Sequence, residues 1–504
     1  MIKILSNNQI READKVTVET EGITSAELME RAANGCANWL KNQFDPKRPF
    51  VIVAGVGNNG GDALVIARRL VESGYQVSTY VIRYSEKFSK DFQINFERLE
   101  KIGHEINYVL ESSQFPSISS DSVIVDGIFG SGLSRPTEGL ALECIELINA
   151  SIAEVVAIDI PSGMFGDKKS MGAGNVVEAT HTLCFQSPRL AFLLSDSGWA
   201  VGNWHVIDIG LDRSFVSGAD SSYFFVDSVL DILPMFRREK FDHKGRFGHA
   251  LLLAGSAGKI GAAVLCAKAA LRAGVGLLTA HVPKIGYDII QTSIPEAMCH
   301  VDDNLEVLSS NLDTSKFDAV GIGPGIGTHK KTKRVLRSLL KSSQKPIILD
   351  ADAVNILAEF DDPQKLLNRK CLLTPHVGEF DRLFGECDDA FHRLELLQKK
   401  AIDWDVHILL KGAYSALATP EGVVYFNSTG NPGMAKGGSG DALTGIVTAL
   451  IAQCGDLKSA AIFGMYLHGL AGDIAALDYG QKSMITTDLI DCLGDAFEMI
   501  EQER

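Results

Sequence analysis

Short β-branched runs that end in aspartate or glycine and lead straight into helix-patterned stretches constrain this chain more than any other feature. VIVAG begins at Val51, QVSTYVI at Gln76, SVIVDGIFG at Ser122, VVAIDIPSG at Val155 and THTLCF at Thr180, with helix-length segments between them. Strands separated by helices imply βαβ units, hence a parallel sheet covered on both faces. The rhythm lapses from about Arg213 to Arg238 and resumes with HALLLAGSAGKIGAAVLCAKAALRAGVGLLTA. Further strands are expected at FDAVGIGPG from Phe317, KPIILDADA from Lys345, CLLTPH from Cys371 and VHILLKG from Val406, and final helices from Asp441 and Ser459. The chain reads as two α/β domains, 1–218 and 219–504. Its 504 residues fit that division, because one core usually stops growing at about 250–300 residues.

The composition, 46% hydrophobic and 22% charged, supplies two such cores and leaves disorder with nothing to explain. Acidic residues outnumber basic ones 63 to 48, which disfavours a nucleic-acid partner. The nine cysteines are scattered without a C-x-x-C pair and read as buried thiols of a reducing compartment. MIKILSNNQIREADK turns polar too soon for a signal peptide, and no uninterrupted apolar run of about 18 residues follows. A cytoplasmic protein with no membrane partner, assembling with copies of itself, is expected.

Gly55, Gly57 and Gly60 stand in GVGNNG, after a strand and before the helical run ALVIARRL, with the spacing of a dinucleotide turn. Such a turn sets backbone N–H groups and a helix N-terminus against a phosphate. It also serves as a plain strand-to-helix connection, and the strand near Val77 lacks the terminal acid that holds a ribose in an ordinary NAD dehydrogenase. Two further strand ends keep it company: Asp126 ends VIVD and Asp159 ends VVAID. Ligands of open parallel sheets sit outside the carboxyl ends of the strands, so these loops converge on one crevice. NNGGD, the loop from Gly130 to Pro136, and VAIDIPSG resemble the motifs of the NAD(P)H-hydrate epimerases over about the first 215 residues. The resemblance implies a Rossmann-like parallel α/β/α domain. It further implies a hydrated dinucleotide held by Asn58, Asn59, Gly60, Gly61 and Asp62 and by Gly130, Ser131, Gly132, Leu133, Ser134, Arg135 and Pro136. Asp159 would be the catalytic group at the reacting ring, and Asn59, Asp126 and Ser162 would hold a potassium ion. Oxygen ligands suit a hard cation.

In NPGMAKGGSGDALTGIVTAL a glycine-rich loop ends at Asp441 and enters an apolar helix. Backbone N–H groups of Gly438, Ser439 and Gly440 would form an anion hole for a phosphoryl group, with Asp441 placed beside it as a general base. An acid at this position also serves as a simple cap. Glycines this dense are costly unless the backbone must approach something closely. GGSGD resembles the catalytic turn of the ribokinase-like superfamily. GSAGKIGAA at Gly255, GIGPGIG at Gly321, LTPHVGEF at Leu373 and LLKGAYS at Leu409 follow the order seen in ADP- or ATP-dependent NAD(P)H-hydrate dehydratases. By that resemblance Lys411, Gly412, Ala413, Tyr414, Ser415 and Gly440 contact the nucleotide, and Ala262, Gly325, His376 and Asp441 contact the hydrated dinucleotide. Magnesium would accompany ADP or ATP, as phosphoryl transfer generally requires. The function implied is a fused repair enzyme for hydrated NADH and NADPH. A ribokinase-like small-molecule kinase carrying a Rossmann-like regulatory or scaffold domain is the alternative.

Overall fold

The structure is a computed structural model that describes residues 1–170, 172 and 174–503. The chain forms two compact units. One holds Lys3–Ser221 with residues 389–391; the other holds Met1–Ile2, Ser222–Asp388 and His392–Arg504.

The strands, in chain order, are β1 (Ile2–Lys3), β2 (Phe50–Ala54), β3 (Val77–Ile82), β4 (Ile106–Val109), β5 (Val123–Gly127), β6 (Glu154–Ile158), β7 (His181–Phe185), β8 (Asn203–Ile207), β9 (Tyr223–Val226), β10 (His249–Leu253), β11 (Leu277–Val282), β12 (Met298–Val301), β13 (Ala319–Ile322), β14 (Ile347–Leu349), β15 (Cys371–Leu373), β16 (His407–Leu410), β17 (Ala416–Ala418) and β18 (Val424–Asn427). The expected α/β class holds in both units.

The first unit is built on a seven-stranded sheet in the order β4-β3-β2-β5-β6-β7-β8, with every pairing parallel. The chain runs outward through β3 and β4, then returns to place β5 on the other side of β2. A crevice opens at such a reversal, outside the carboxyl ends of the strands. Register aligns those ends, with Ala54 opposite Gly127 and Asp126 opposite Ala157. β2 and β5 are buried at every position, as a sheet covered by helices on both faces requires.

The second unit carries an eleven-stranded sheet, β1-β9-β18-β17-β16-β15-β14-β13-β10-β11-β12. Its centre is parallel, while β16, β17 and β18 form an antiparallel meander. The order reverses between β10 and β13, giving this sheet a switch point of its own. The helices Ile260–Arg272 and Ser439–Cys454 pack so closely that a Cβ on Gly445 would lie 2.0 Å from the Cys266 carbonyl oxygen. The Leu457–Tyr479 helix is apolar enough to cross a membrane by length and composition, with a hydropathy of 1.4, but 72% of that window is buried inside the protein. It has the character of a core helix.

Candidate active sites

Three strand ends converge in the first unit around a cavity of about 830 Å³. The turn after β2 contributes Gly57, Asn58, Asn59 and Asp62 to its lining. The loop after β5 contributes Gly130 to Arg135, and the position just after β6 contributes Asp159. Pro136 is not part of the lining. Gly60 and Gly61 face the protein: a Cβ on Gly60 would meet the Gly55 carbonyl oxygen at 1.8 Å, and one on Gly61 would meet Met29 Sδ at 2.8 Å. Gly57 caps the Asn58–Glu72 helix without a side-chain hydrogen bond, so the first N–H groups of that helix lack a side-chain acceptor. That is how a helix start becomes an anion site.

Asp159 adopts a left-handed backbone, φ 65°, an uncommon conformation for a non-glycine residue. Its two oxygens are pinned separately. Arg189 Nη2 donates to Oδ1 at 2.6 Å, and the Ser131 N–H donates to Oδ2 at 2.8 Å. Arg189 is 1% exposed, so this is a buried ion pair. Neither Arg189 nor the cavity acid Asp14 was picked out from the sequence; Arg189 lies in an unpatterned loop, and Asp14 sits on an ordinary amphipathic helix. Burial, with a contribution from Asp159, raises Asp14 to about 6. Burial also pushes Asp62 well above the usual carboxylate range.

Asp126 and Ser162 meet directly. Ser162 Oγ donates to Asp126 Oδ1 at 2.6 Å, the Ser162 N–H donates to Oδ2 at 2.8 Å, and the Phe129 N–H donates to Ser162 Oγ at 2.8 Å. Asp126 is fully buried, and burial raises it to about 6. No ion pair to it occurs among the described residues. Asn59 turns its amide nitrogen to the Ile158 carbonyl at 3.2 Å, which leaves its oxygen end available. A buried carboxylate without a basic partner, beside hydroxyl and amide oxygens, fits a monovalent cation.

In the second unit Gly438, at φ 95°, starts the Ser439–Cys454 helix, again without a side-chain cap. Asp441 sits in its first turn. Burial raises Asp441 to about 7; Asp350 and Asp352 add to the rise and Lys411 opposes it. Gly440 faces Lys411, where a Cβ would lie 3.3 Å from Nζ, and at Gly437 and Gly412 a Cβ would meet nothing within 4 Å.

Gly325, at φ 63°, follows β13, and Ala262 lies in the helix after β10, so both stand at the switch point. A Cβ on Gly325 would touch the Ala262 Cβ at 3.0 Å. His376 caps the Val377–Phe384 helix, with Nδ1 accepting from the Glu379 N–H at 3.2 Å, and 58% of its side chain remains exposed. Lys411 follows β16, and a single bridge joins it to His376. Its ammonium is bonded to Asp350 Oδ1 at 2.7 Å. The Gly412–Ser415 loop turns on itself, with Ser415 Oγ and the Gly412 carbonyl at 3.3 Å. Sequence reading passed over Asp350, although it ends ILD just as Asp126 ends VIVD. It also passed over His468, a buried residue that meets the Ser439 carbonyl at 3.0 Å.

Two family models match the chain, in order. One, described as YjeF-related protein N-terminus, covers residues 25–191; the other, described as NAD(P)H-hydrate dehydratase, covers residues 250–494. The bifunctional NAD(P)H-hydrate repair enzyme Nnr of Moorella thermoacetica is 35% identical over 98% of this chain and 96% of its own length. Among solved structures, a ribokinase-like superfamily protein of Enterococcus faecalis aligns with TM-score 0.48 at 24% identity, covering 56% of this chain and 98% of that one. The ADP/ATP-dependent NAD(P)H-hydrate dehydratase of Bacillus subtilis, co-crystallised with ATP and Mg2+, aligns with TM-score 0.46 at 30% identity, covering 52% of this chain and 94% of that one.

Proposed function

The chain belongs to the family of bifunctional NAD(P)H-hydrate repair enzymes, and from that membership we propose how its two sites divide the work. Residues 1–218 interconvert the R and S forms of hydrated NADH and NADPH. Residues 219–504 dehydrate the S form at the expense of ADP or ATP, releasing phosphate and the shortened nucleotide. The full-length match to a bifunctional relative carries this reading.

In the first site the cavity takes the hydrated dinucleotide, with phosphates toward the uncapped helix start after Gly57 and the ring toward Asp159. Arg189 and the Ser131 N–H fix the Asp159 carboxylate in one orientation, as positioning of a reacting group requires. Asn59, Asp126 and Ser162 would hold potassium, which when bound supplies positive charge beside the substrate phosphate.

In the second site the open turn from Gly437 to Gly440 receives the terminal phosphoryl group, and Lys411 to Ser415 lie along the nucleotide. Ala262, Gly325 and His376 contact the hydrated dinucleotide. Hydroxide is a poor leaving group, so Asp441 takes the proton of the ring hydroxyl while its oxygen attacks phosphorus and the nucleotide departs. The ring nitrogen then expels phosphate with its lone pair, and loss of a proton from the neighbouring ring carbon restores the double bond. Magnesium, when bound with the nucleotide, would supply positive charge against its phosphates.

This chemistry suits a cytoplasmic enzyme, and self-association is part of the proposal. The test supplies a mixture of both hydrate epimers with magnesium and either ADP or ATP, follows recovery of nicotinamide absorbance, and separates the epimers by chromatography. Full recovery with release of inorganic phosphate is expected. No recovery with either nucleotide removes the proposal, and release of a stable phosphorylated product would replace it with a small-molecule kinase.

A further inference from the structure

Asp350 directly follows β14 and is 1% exposed. Three elements grip its carboxylate. Lys411 Nζ donates to Oδ1 at 2.7 Å and Thr374 Oγ1 donates to the same oxygen at 2.8 Å, while Thr444 Oγ1 donates to Oδ2 at 2.8 Å. Thr374 follows β15, Lys411 follows β16, and Thr444 lies in the helix that carries Asp441. A Cβ on Gly440 would sit 3.3 Å from Lys411 Nζ and 3.7 Å from Asp350 Oδ2, so the ion pair lies directly against the glycine turn. The local backbone is bent to achieve this. Ala351 is left-handed at φ 45°, and Gly323 has no room for a side chain because a Cβ would fall 1.8 Å from the Asp350 carbonyl oxygen. Conformations of this kind persist where the surrounding structure over-determines them, and they gather at active sites.

We propose that Asp350 is a positioning residue for dehydration: it holds the Lys411 ammonium beneath the Gly438–Asp441 turn, so that Asp441 works between one fixed carboxylate and one fixed ammonium. The proposal rests on Asp441 being the base.

Titratable groups from several elements bear on Asp441, among them the Cys266 thiol, which burial holds neutral, and Lys259, 3.5 Å from Asp352. Asp350 and Asp352 oppose its ionisation and Lys411 favours it, with burial the largest influence. Glu379 stands 4.0 Å from Lys411 Nζ on the helix capped by His376. His468 touches Ser439, and burial lowers it to about 4, so it is neutral near pH 7. Removing the Asp350 charge takes away an influence that raises Asp441, so the base ionises at lower pH. Removing the Lys411 charge takes away an influence that lowers it, so the base ionises at higher pH. The two halves of one ion pair thus act in opposite directions.

The experiment is the pH dependence of kcat for dehydration in the full-length protein, comparing wild type, Asp350→Asn and Lys411→Gln at saturating hydrated NADH, nucleotide and magnesium. Calorimetric unfolding of the same preparations reports whether the second unit is folded. The acidic limb of the wild-type profile is expected near pH 7. Asp350→Asn should move it down by about one pH unit and Lys411→Gln up by a similar amount, the order of effect of one nearby charge. A fall in kcat with an unmoved limb, or displacement of both variants in the same direction, overturns the proposal. If Asp350→Asn does not fold, the direction of the Lys411→Gln shift decides alone. An Asp441→Asn variant that dehydrates at the wild-type rate would instead remove the base on which the proposal stands.

Discussion

The two glycine turns look alike in sequence and differ in what their glycines are for. In GVGNNGG the missing side chains make room for the chain itself: a Cβ on Gly55 would lie 2.0 Å from the Ile128 carbonyl oxygen, and one on Gly60 1.8 Å from that of Gly55. In KGGSGD a Cβ on Gly437 would meet nothing within 4 Å, and one on Gly440 would meet only side-chain ends, Lys411 Nζ at 3.3 Å and Asp350 Oδ2 at 3.7 Å. The first turn needs glycine to fold. At Gly437 and Gly440 packing makes no such demand, which leaves room for the close approach of nucleotide proposed above. The paired carboxylates differ too: Asp159 is pinned by an arginine and an amide, whereas the Asp441 carboxylate has no hydrogen bond among the described residues and is raised by burial first and by nearby charge second.

The largest expected effect tests the separation of the two chemistries. Asp441→Asn should lower dehydration by about 10²- to 10⁴-fold, as loss of a general base does, and leave epimerisation unchanged. Asp159→Ala should do the reverse, converting one epimer and then stalling in a chromatographic time course. Smooth consumption of both epimers by the Asp159 variant would end the idea of a separate epimerase site.

Next comes the open turn. Gly440→Ala places its methyl in an α-helical first turn, where alanine is favoured by up to about 1 kcal/mol, so urea unfolding should show no loss of stability. Dehydration should nevertheless fall by about 10²-fold through misplacement of the phosphoryl group. An unimpaired variant would mean that nothing approaches that turn.

Gly60→Ala should behave in the opposite way. Overpacking against the Gly55 carbonyl should cost about 1–3 kcal/mol of stability, and epimerisation should fail together with the fold. Normal stability in calorimetry would contradict the packing described for that turn. The smallest effect concerns the cation: exchanging potassium for lithium should slow epimerisation a few-fold, and Asp126→Asn should remove the difference. Equal rates in potassium, lithium and a bulky organic cation would dismiss the site.

Alternating strands and helices were legible because a strand buried on both faces, such as β2, reads as a near-continuous apolar run. Short strands were harder to read. β9 lies in the stretch where the rhythm lapses, and β17 turns back antiparallel with no helix before it, so neither sits in an alternating pattern. Strand-end acids gave away Asp126 and Asp159, and the same rule applied to ILDADA would have given Asp350. Arg189 left no such trace, since its partner lies 30 positions away and only the folded sheet brings them together. The two glycines of NNGGD, Gly60 and Gly61, were read as ligand contacts; their close packing against Gly55 and Met29, which only coordinates reveal, adds a structural demand for glycine.

Both helices that follow the glycine turns begin without a side-chain cap, which means that each is an unfinished structure. Ala442 donates back to Gly438 at 2.9 Å, but Ser439 reaches Lys436 only at 3.5 Å, and the amides between them have no intrahelical acceptor. A bound phosphate would serve as the missing cap. Substrate would then anneal the last turn of the protein as well as occupy it, and amide hydrogens from Ser439 to Asp441 would exchange with solvent more slowly once nucleotide is present.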